Sequence, residues 1–153
     1  MSFILNTYNR KKIAFTKGKG AFLYGTNGKK YLDFVQGIAV NCLGHANNYL
    51  INSISKQARK LWHVSNVFII PEQERLAKRI TQKTFADYVF FQNSGAEATE
   101  AAIKFARRYF YSKGQSKKNR VLCINNSFHG RTLATIFASN SKKAIEGFGP
   151  KVD

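Results

Sequence analysis

The stretch Phe91-Gln92-Asn93-Ser94-Gly95-Ala96-Glu97 carries the strongest local signal in the chain. The apolar run at 88–91 that leads into it is typical of a short buried strand. Ser94 and Glu97 fit the Ser-x-x-Glu pattern, in which a serine caps a helix and a glutamate three residues later reinforces the cap. Alanines and aromatics at helical spacing follow. The sequence therefore predicts a strand, a turn on Gly95 and a helix.

The same pattern recurs further along the chain. A second buried-type strand is predicted at 121–124, then a loop at 125–130, and then a helix from about Thr132. Strand, helix, strand, helix is the pattern of a parallel α/β sheet. Ligands of such sheets bind beyond the carboxyl ends of the strands, so the loop at 125–130 and the turn before the first helix are expected on one rim.

The first half of the chain predicts smaller elements. Two aromatic-rich runs, 21–24 and 30–34, flank a Gly-Thr-Asn-Gly turn and predict a β-hairpin. Apolar residues at helical spacing predict a helix over 48–61. A proline followed by glutamates predicts a helix start at Pro71. Residues 1–20 are polar and basic without a clear period, so they predict an arm or extended segment.

The predicted helix start at 94–97 is a candidate anion site. The first turn of a helix exposes unpaired N–H groups and carries partial positive charge, and Gly95 has no side chain to keep a ligand away. From the spacing alone, an ordinary capped helix without a ligand is the favoured alternative. In the loop that follows the second strand, Phe128 offers an apolar face for a flat ring, and Arg131 offers a fork for a carboxylate. Taken singly, a core phenylalanine and a solvated arginine are the commoner situations.

Composition and charge narrow the function classes. The chain has 153 residues with 25 Lys+Arg and 8 Asp+Glu, a net charge of +17. Such a charge attracts nucleic acid or anionic membranes, but no block reaches five or six like charges, and compositional drift is the favoured explanation. Two cysteines indicate a reducing, cytoplasmic compartment, and no apolar run is long enough to cross a membrane. Three histidines without metal-ligand spacing to a cysteine predict no metal site.

Taken together, the motifs resemble those of class III pyridoxal-phosphate aminotransferases, and within that class those of the acetylornithine aminotransferases. The resemblance rests on segments found in family order across nearly the whole chain: Asn93-Ser94-Gly95-Ala96-Glu97-Ala98, Ser127-Phe128-His129-Gly130-Arg131-Thr132, Gly37-Ile38-Ala39-Val40-Asn41 with Leu43-Gly44-His45, and Gly147-Phe148-Gly149-Pro150.

The resemblance implies an α/β fold of the aspartate-aminotransferase type (fold type I). Residues 1–65 would form the N-terminal arm and part of the small domain. Residues 66–153 would form the first part of the large cofactor-binding domain, with an incomplete, mainly parallel sheet. An incomplete sheet of this kind would leave the edge of one strand unpaired and one apolar face uncovered. We therefore expect the isolated chain to be poorly stable.

The resemblance also implies a site and a reaction. The N–H groups of Gly95 and Ala96 would hold the phosphate of pyridoxal 5′-phosphate, Phe128 would stack on its ring, and Arg131 would pair with the substrate carboxylate. The reaction would move an amino group between N-acetylornithine and 2-oxoglutarate, and family members form homodimers.

One part of the family pattern is not matched by any residue of the chain. The lysine that carries the cofactor, and the acid that pairs with the pyridine nitrogen, belong to motifs absent here. We therefore assign no catalytic residue and expect no turnover by the chain alone. The alternative is a non-catalytic basic module that binds nucleic acid or a full-length aminotransferase subunit.

Overall fold

A computed structural model describes residues 3–151. Its contacts divide the chain into two units, one that ends at Ile70 and one that begins at Pro71. The assignment of residues 1–65 and 66–153 to two domains of a larger enzyme stays a prediction.

The first unit is built on a three-stranded antiparallel sheet. Its strands are β1 (Phe15–Lys19), β2 (Phe22–Gly25) and β3 (Lys30–Leu32), in the order β1-β2-β3. The predicted hairpin is confirmed as β2 and β3. Residues 1–20 were expected to form an arm or extended segment, and their extended end is a strand, β1, which pairs with β2 with one irregularity between Phe15 and Lys17. The lysines and glycine of β1 hide the alternation that marks a strand.

A left-handed turn, α1 (Gln36–Ala39), follows the sheet. Its four residues have φ angles of 51°, 64°, 64° and 61°, and only Gly37 is a glycine. A left-handed backbone costs roughly 1–2 kcal/mol per non-glycine residue, and more for a branched side chain such as Ile38. The surrounding structure must therefore hold this turn in place.

Asp33 makes several of the contacts that stabilise this turn. Its Oδ1 accepts hydrogen bonds from the N–H groups of Val35 and Gln36, at 3.0 and 2.8 Å. Its Oδ2 lies 2.7 Å from Nε2 of His45, whose backbone bridges to Gly20 beside the sheet. The N–H of Gln36 and then His45 hold the pKa of Asp33 below its usual value of 3.8. Asp33 therefore connects the strained turn to the sheet as an ionised carboxylate.

The remaining helix of the first unit is α2 (Asn48–Ala58). Asn47 caps it, since its side-chain oxygen accepts from the N–H groups of Tyr49 and Leu50 at 3.0 and 3.3 Å. The predicted helix is confirmed but ends three residues before residue 61, where a tighter turn takes over.

The second unit contains four helices among its described residues. They are α3 (Pro71–Thr81), α4 (Gly95–Ser112), α5 (Leu133–Ser139) and α6 (Lys142–Ile145). The predicted helix starts at Pro71, after residue 94 and near Thr132 are all confirmed. Helix α5 contacts both α4 and α6. No helix in residues 3–151 is long and apolar enough to span a membrane.

The two strands predicted at 88–91 and 121–124 are wrong for this structure. Both segments lack regular secondary structure, and neither pairs with another strand within residues 3–151. Apolar residue choice favours a buried strand, but a strand forms only where neighbours satisfy its N–H and C=O groups. The predicted parallel sheet is thus not formed by the described residues, and the sheet that is present is antiparallel.

Burial is concentrated around α5. Thr135, Ile136 and Ser139 are 0, 5 and 5% exposed, and Ile136 is the buried hydrophobic residue of the described chain. In contrast, Phe85 and Leu122 are fully exposed. The best-packed part of the second unit therefore lies where α5 meets the start of α4.

Candidate functional site

The start of α4 is capped as the sequence predicts. Ser94 has an extended backbone, and its Oγ accepts from the N–H of Glu97 at 3.2 Å. The Ser94 hydroxyl also donates to the Glu97 carboxylate at 3.0 Å, so the glutamate contacts the capping side chain and not the capping backbone. The predicted turn on Gly95 is wrong by one residue: the chain bends at Asn93 and Ser94, and Gly95 is the first helical residue.

Two N–H groups of the first turn are left for a ligand. Among residues 3–151, the N–H groups of Gly95 and Ala96 have no protein acceptor. Gly95 is exposed, and a Cβ built on it would meet no atom within 4 Å. Unpaired N–H groups at the positive end of an 18-residue helix form a suitable cradle for a phosphate or carboxylate.

The loop at 127–131 contacts this cradle directly. Gly130 is buried, and a Cβ added to it would lie 2.8 Å from the Ala96 Cβ and 2.8 Å from the Thr135 Oγ1. The backbone of Gly130 also has φ = 134°, a conformation that favours glycine. Glycine at this position therefore allows the loop, the start of α4 and the start of α5 to come together.

A second contact joins the same elements. The Thr132 hydroxyl donates to the Glu100 carboxylate at 2.6 Å and lies 2.9 Å from the Thr135 hydroxyl. The Thr135 hydroxyl donates to the Thr132 carbonyl at 3.0 Å. Our sequence reasoning did not predict these roles for Gly130, Thr132 and Glu100, although a glycine just before a helix cap signals a close backbone approach.

Polar contacts of its own residues also stabilise the loop at 127–131. The Ser127 hydroxyl lies 2.7 Å from Nε2 of His129, and the N–H of Asn126 donates to the Ser139 carbonyl at 2.8 Å. His129 is half-buried. The loop therefore holds its shape through its own polar contacts and through α5.

The two side chains predicted to contact a ligand lie together on this loop. Phe128 is 73% exposed, and the Arg131 guanidinium lies 5.3 Å from its ring centroid. This distance suits a cation–π contact. Within residues 3–151, no hydrogen bond or ring contact joins either side chain directly to Gly95, so the connection to the helix start runs through Gly130.

No group of three or more potential metal ligands exists among the described residues. The donors without a protein acceptor at the helix start are backbone N–H groups, and the loop beside it carries the Arg131 guanidinium next to the Phe128 ring. The arrangement therefore suits an anion attached to a flat ring.

The family described as "Aminotransferase class-III" matches residues 4–153. The chain belongs to this family. As a member of class III it has the fold of pyridoxal-phosphate enzymes of fold type I, so the predicted α/β fold class is confirmed, although the sheet formed by the described residues is antiparallel.

Individual relatives extend the match. The acetylornithine aminotransferase of Agrobacterium fabrum is 55% identical over 150 residues, which is 98% of this chain. Among solved structures, the ornithine aminotransferase of Toxoplasma gondii superposes with a TM-score of 0.89 at 27% identity over 99% of this chain. The N-acetylornithine aminotransferase of Stenotrophomonas maltophilia gives a TM-score of 0.72 at 38% identity over 82% of this chain.

The relatives are much longer than this class III chain. It spans 38% of the Agrobacterium relative, 36% of the Toxoplasma protein and 35% of the Stenotrophomonas protein.

Proposed function

We propose that this class III chain is the N-terminal part, or a truncated relative, of an acetylornithine-type aminotransferase. The whole enzyme would move an amino group between N-acetylornithine and 2-oxoglutarate. Support comes from the 55% identity to the Agrobacterium enzyme and from the site described above.

The observation that carries the proposal is the contact of Gly130 with Ala96. It supports the proposal that the unpaired N–H groups of one segment and the Phe128–Arg131 pair of the other serve one site. A phosphorylated aromatic ring presents both features that this site can bind: an anion and a flat apolar face.

Pyridoxal phosphate fits these residues. The N–H groups of Gly95 and Ala96 would hold its phosphate, the exposed Phe128 ring would stack on its pyridine ring, and Arg131 would bind the substrate carboxylate. When bound, this cofactor supplies an electron sink that lets the amino group leave the substrate carbon. A structure of the Toxoplasma ornithine aminotransferase, 27% identical with a TM-score of 0.88, is described with the same cofactor at its active site.

The chain's own contribution to the reaction is binding and orientation. Cofactor chemistry also needs an amine on the protein and a carboxylate near the ring nitrogen, and no residue of this sequence matches either family motif. The proposal therefore assigns turnover to an assembly that contains the rest of the enzyme.

Fragment complementation tests this function. The chain is co-expressed with the C-terminal part of the Agrobacterium fabrum enzyme, starting where the match ends, and co-purification is measured. We expect the two parts to co-purify and to transfer the amino group of N-acetylornithine to 2-oxoglutarate. In the same assembly, Arg131→Gln should raise the KM for N-acetylornithine about tenfold, because a charge-assisted pair is lost.

Arg79→Gln is the matched control. Arg79 is an exposed arginine on α3, so its loss changes the charge equally but should leave the KM unchanged. An assembly that forms but transfers no amino group would contradict the proposed function, as would an equal KM increase in both variants.

Two further features belong to the same proposal. We propose that the whole enzyme acts in the cytoplasm and as a homodimer, as the family resemblance implies. The free Cys42 and Cys123 are in keeping with a reducing compartment. The alternative function inferred from the sequence, a module that binds nucleic acid, is less well supported because the lysines and arginines are dispersed along the chain.

A further inference from the structure

A cavity lies between the C-terminal half of α4 and the loop that follows it, and none of its lining residues belongs to the site described above. Its volume is about 270 Å³. Its charged and apolar lining comes from Arg107 and Phe110 on the helix, and from Lys117, Lys118, Arg120 and Val121 beyond it. The proposed aminotransferase function uses none of these residues.

The cavity has a one-sided charge. Arg107, Lys117, Lys118 and Arg120 supply four cations, and no carboxylate lines the cavity. Like charges that converge without a counter-ion repel one another, so an anion bound between them would relieve that repulsion.

Two of the cations are held in place. The Arg107 Nε donates to the Asn119 carbonyl at 2.9 Å, which joins the helix to the loop and leaves the terminal nitrogens of the guanidinium for another acceptor. The Lys118 Nζ lies 5.1 Å from the Phe110 ring centroid. Part of the cost of ordering these side chains is therefore met before a ligand binds.

The C-terminal end of α4 does not oppose an anion here. Helix ends of this kind carry partial negative charge on unpaired carbonyls. In this helix the carbonyls of Tyr109, Phe110 and Tyr111 accept from the N–H groups of Lys113, Gln115 and Gly114. The helix residues that line the cavity, Ala106, Arg107 and Phe110, also precede the last carbonyls of the helix.

We propose that this cavity binds a small phosphorylated ligand. Phosphate carries up to two charges and three acceptor oxygens, which matches several converging cations better than a single carboxylate does. Phe110 and Val121 offer apolar contact for the carbon skeleton. The cations converge on one cavity and do not follow a long track, so a free phosphorylated molecule is favoured over a nucleic-acid strand.

The test uses the chain in its assembly with the C-terminal part of the Agrobacterium fabrum enzyme and inorganic pyrophosphate as the probe, at fixed ionic strength, with calorimetric titration. The double variant Lys117→Ala/Arg120→Ala should bind pyrophosphate about tenfold more weakly, as expected for two solvent-exposed ion pairs. Lys142→Ala/Lys143→Ala on α6 removes the same charge elsewhere and should change the affinity less than twofold.

A second measurement needs no variant. Lysines of the wild-type chain are acetylated with and without pyrophosphate, and the modified positions are identified by mass spectrometry. We expect pyrophosphate to protect Lys117 and Lys118 and to leave Lys142 and Lys143 unprotected. This result is independent of the α4 start, which contains no lysine in residues 91–97.

Three results would overturn the proposal. The first is no pyrophosphate binding. The second is an equal loss of affinity in both double variants, which would show a general effect of charge. The third is tighter binding of a single-stranded oligonucleotide that both double variants weaken alike, which would show an extended nucleic-acid surface.

Discussion

At the scale of single residues, Gly130 lets the loop at 127–131 approach the start of α4. Its missing Cβ lets the backbone of the loop lie against Ala96 and Thr135, and its positive φ is costly for any other residue. Phe128 and Arg131 are carried by the same loop, so this contact contributes to the position of both.

Gly130→Ala should therefore separate the loop from α4. The new Cβ would overlap Ala96 and the Thr135 hydroxyl, and such overpacking typically costs about 1–3 kcal/mol. We expect faster amide hydrogen exchange in α5, measured by mass spectrometry. Gly95→Ala is the control, because its Cβ meets open space, and its exchange in α5 should equal that of the wild type. Equal exchange in all three chains would show that the close approach of Gly130 does not hold the loop.

Asp33 gives a prediction about pH. The N–H of Gln36 and the ring of His45 keep its pKa below the usual 3.8, so the ionised form is favoured in the folded chain. Stability from this source is fully present above pH 3.8 and is lost as the pH falls through the lower pKa of the folded state. The protection factors for amide hydrogen exchange over 36–39 should fall in that acid range.

Asp33→Asn should abolish this pH-dependent change in exchange over 36–39, because an amide does not ionise. The same variant should give fast exchange over 36–39 at neutral pH. Asp87→Asn changes an exposed carboxylate in the second unit and should leave the pH-dependent change intact. A pH-dependent change that survives in Asp33→Asn would assign the effect to another group.

At the scale of elements, the sequence predicts the helices better than the strands. Caps and helical spacing are local signals, so Ser94 and Pro71 mark helix starts without knowledge of the rest of the chain. Strand pairing is not local. The runs at 88–91 and 121–124 have suitable side chains, but no described segment pairs with them.

In the candidate site, too, the local features could be predicted from the sequence and the contacts between distant residues could not. Gly95 and Ala96 follow from a local capping pattern, and Phe128 and Arg131 from a loop motif and a family resemblance. The contacts between Gly130 and Ala96 and between Thr132 and Glu100 join residues more than thirty positions apart. No single-sequence periodicity encodes such a pair, so only the structure could show them.

The cap of α4 is testable at this scale. Ser94→Ala removes the acceptor of the Glu97 N–H, and loss of such a cap costs about 1 kcal/mol. We expect about fivefold faster exchange in the first turn of α4, as that energy implies. Ser112→Ala is the control, because its hydroxyl donates only to the Tyr109 carbonyl at the other end of the helix. A first turn that is equally protected in Ser94→Ala would show that the cap is not needed.

At the scale of the whole molecule, the described chain leaves much apolar surface uncovered. Phe85, Tyr88 and Leu122 are 100, 92 and 100% exposed, whereas Ile136 is the one hydrophobic residue buried among residues 3–151. Hydrophobic burial is the main stabilising term in folding, so this conformation requires further protein surface to cover it.

The isolated chain should therefore lack a cooperative thermal transition and should bind a hydrophobic dye such as ANS. Association with the C-terminal part of the Agrobacterium enzyme should reduce the dye signal, because the exposed apolar side chains would be covered. Calorimetry and dye fluorescence measure both effects. A monodisperse chain with one sharp transition would show that the uncovered surface is tolerated.

The central claim is that the start of α4 and the loop at 127–131 form one site for a phosphorylated ring. Hydrogen–deuterium exchange with pyridoxine 5′-phosphate tests it most directly, since this probe has no aldehyde to react with lysines. We expect the probe to slow exchange in segments 93–98 and 126–133 together. In Gly130→Ala the probe should slow exchange in neither segment. Protection of one segment without the other, or of neither, would contradict it.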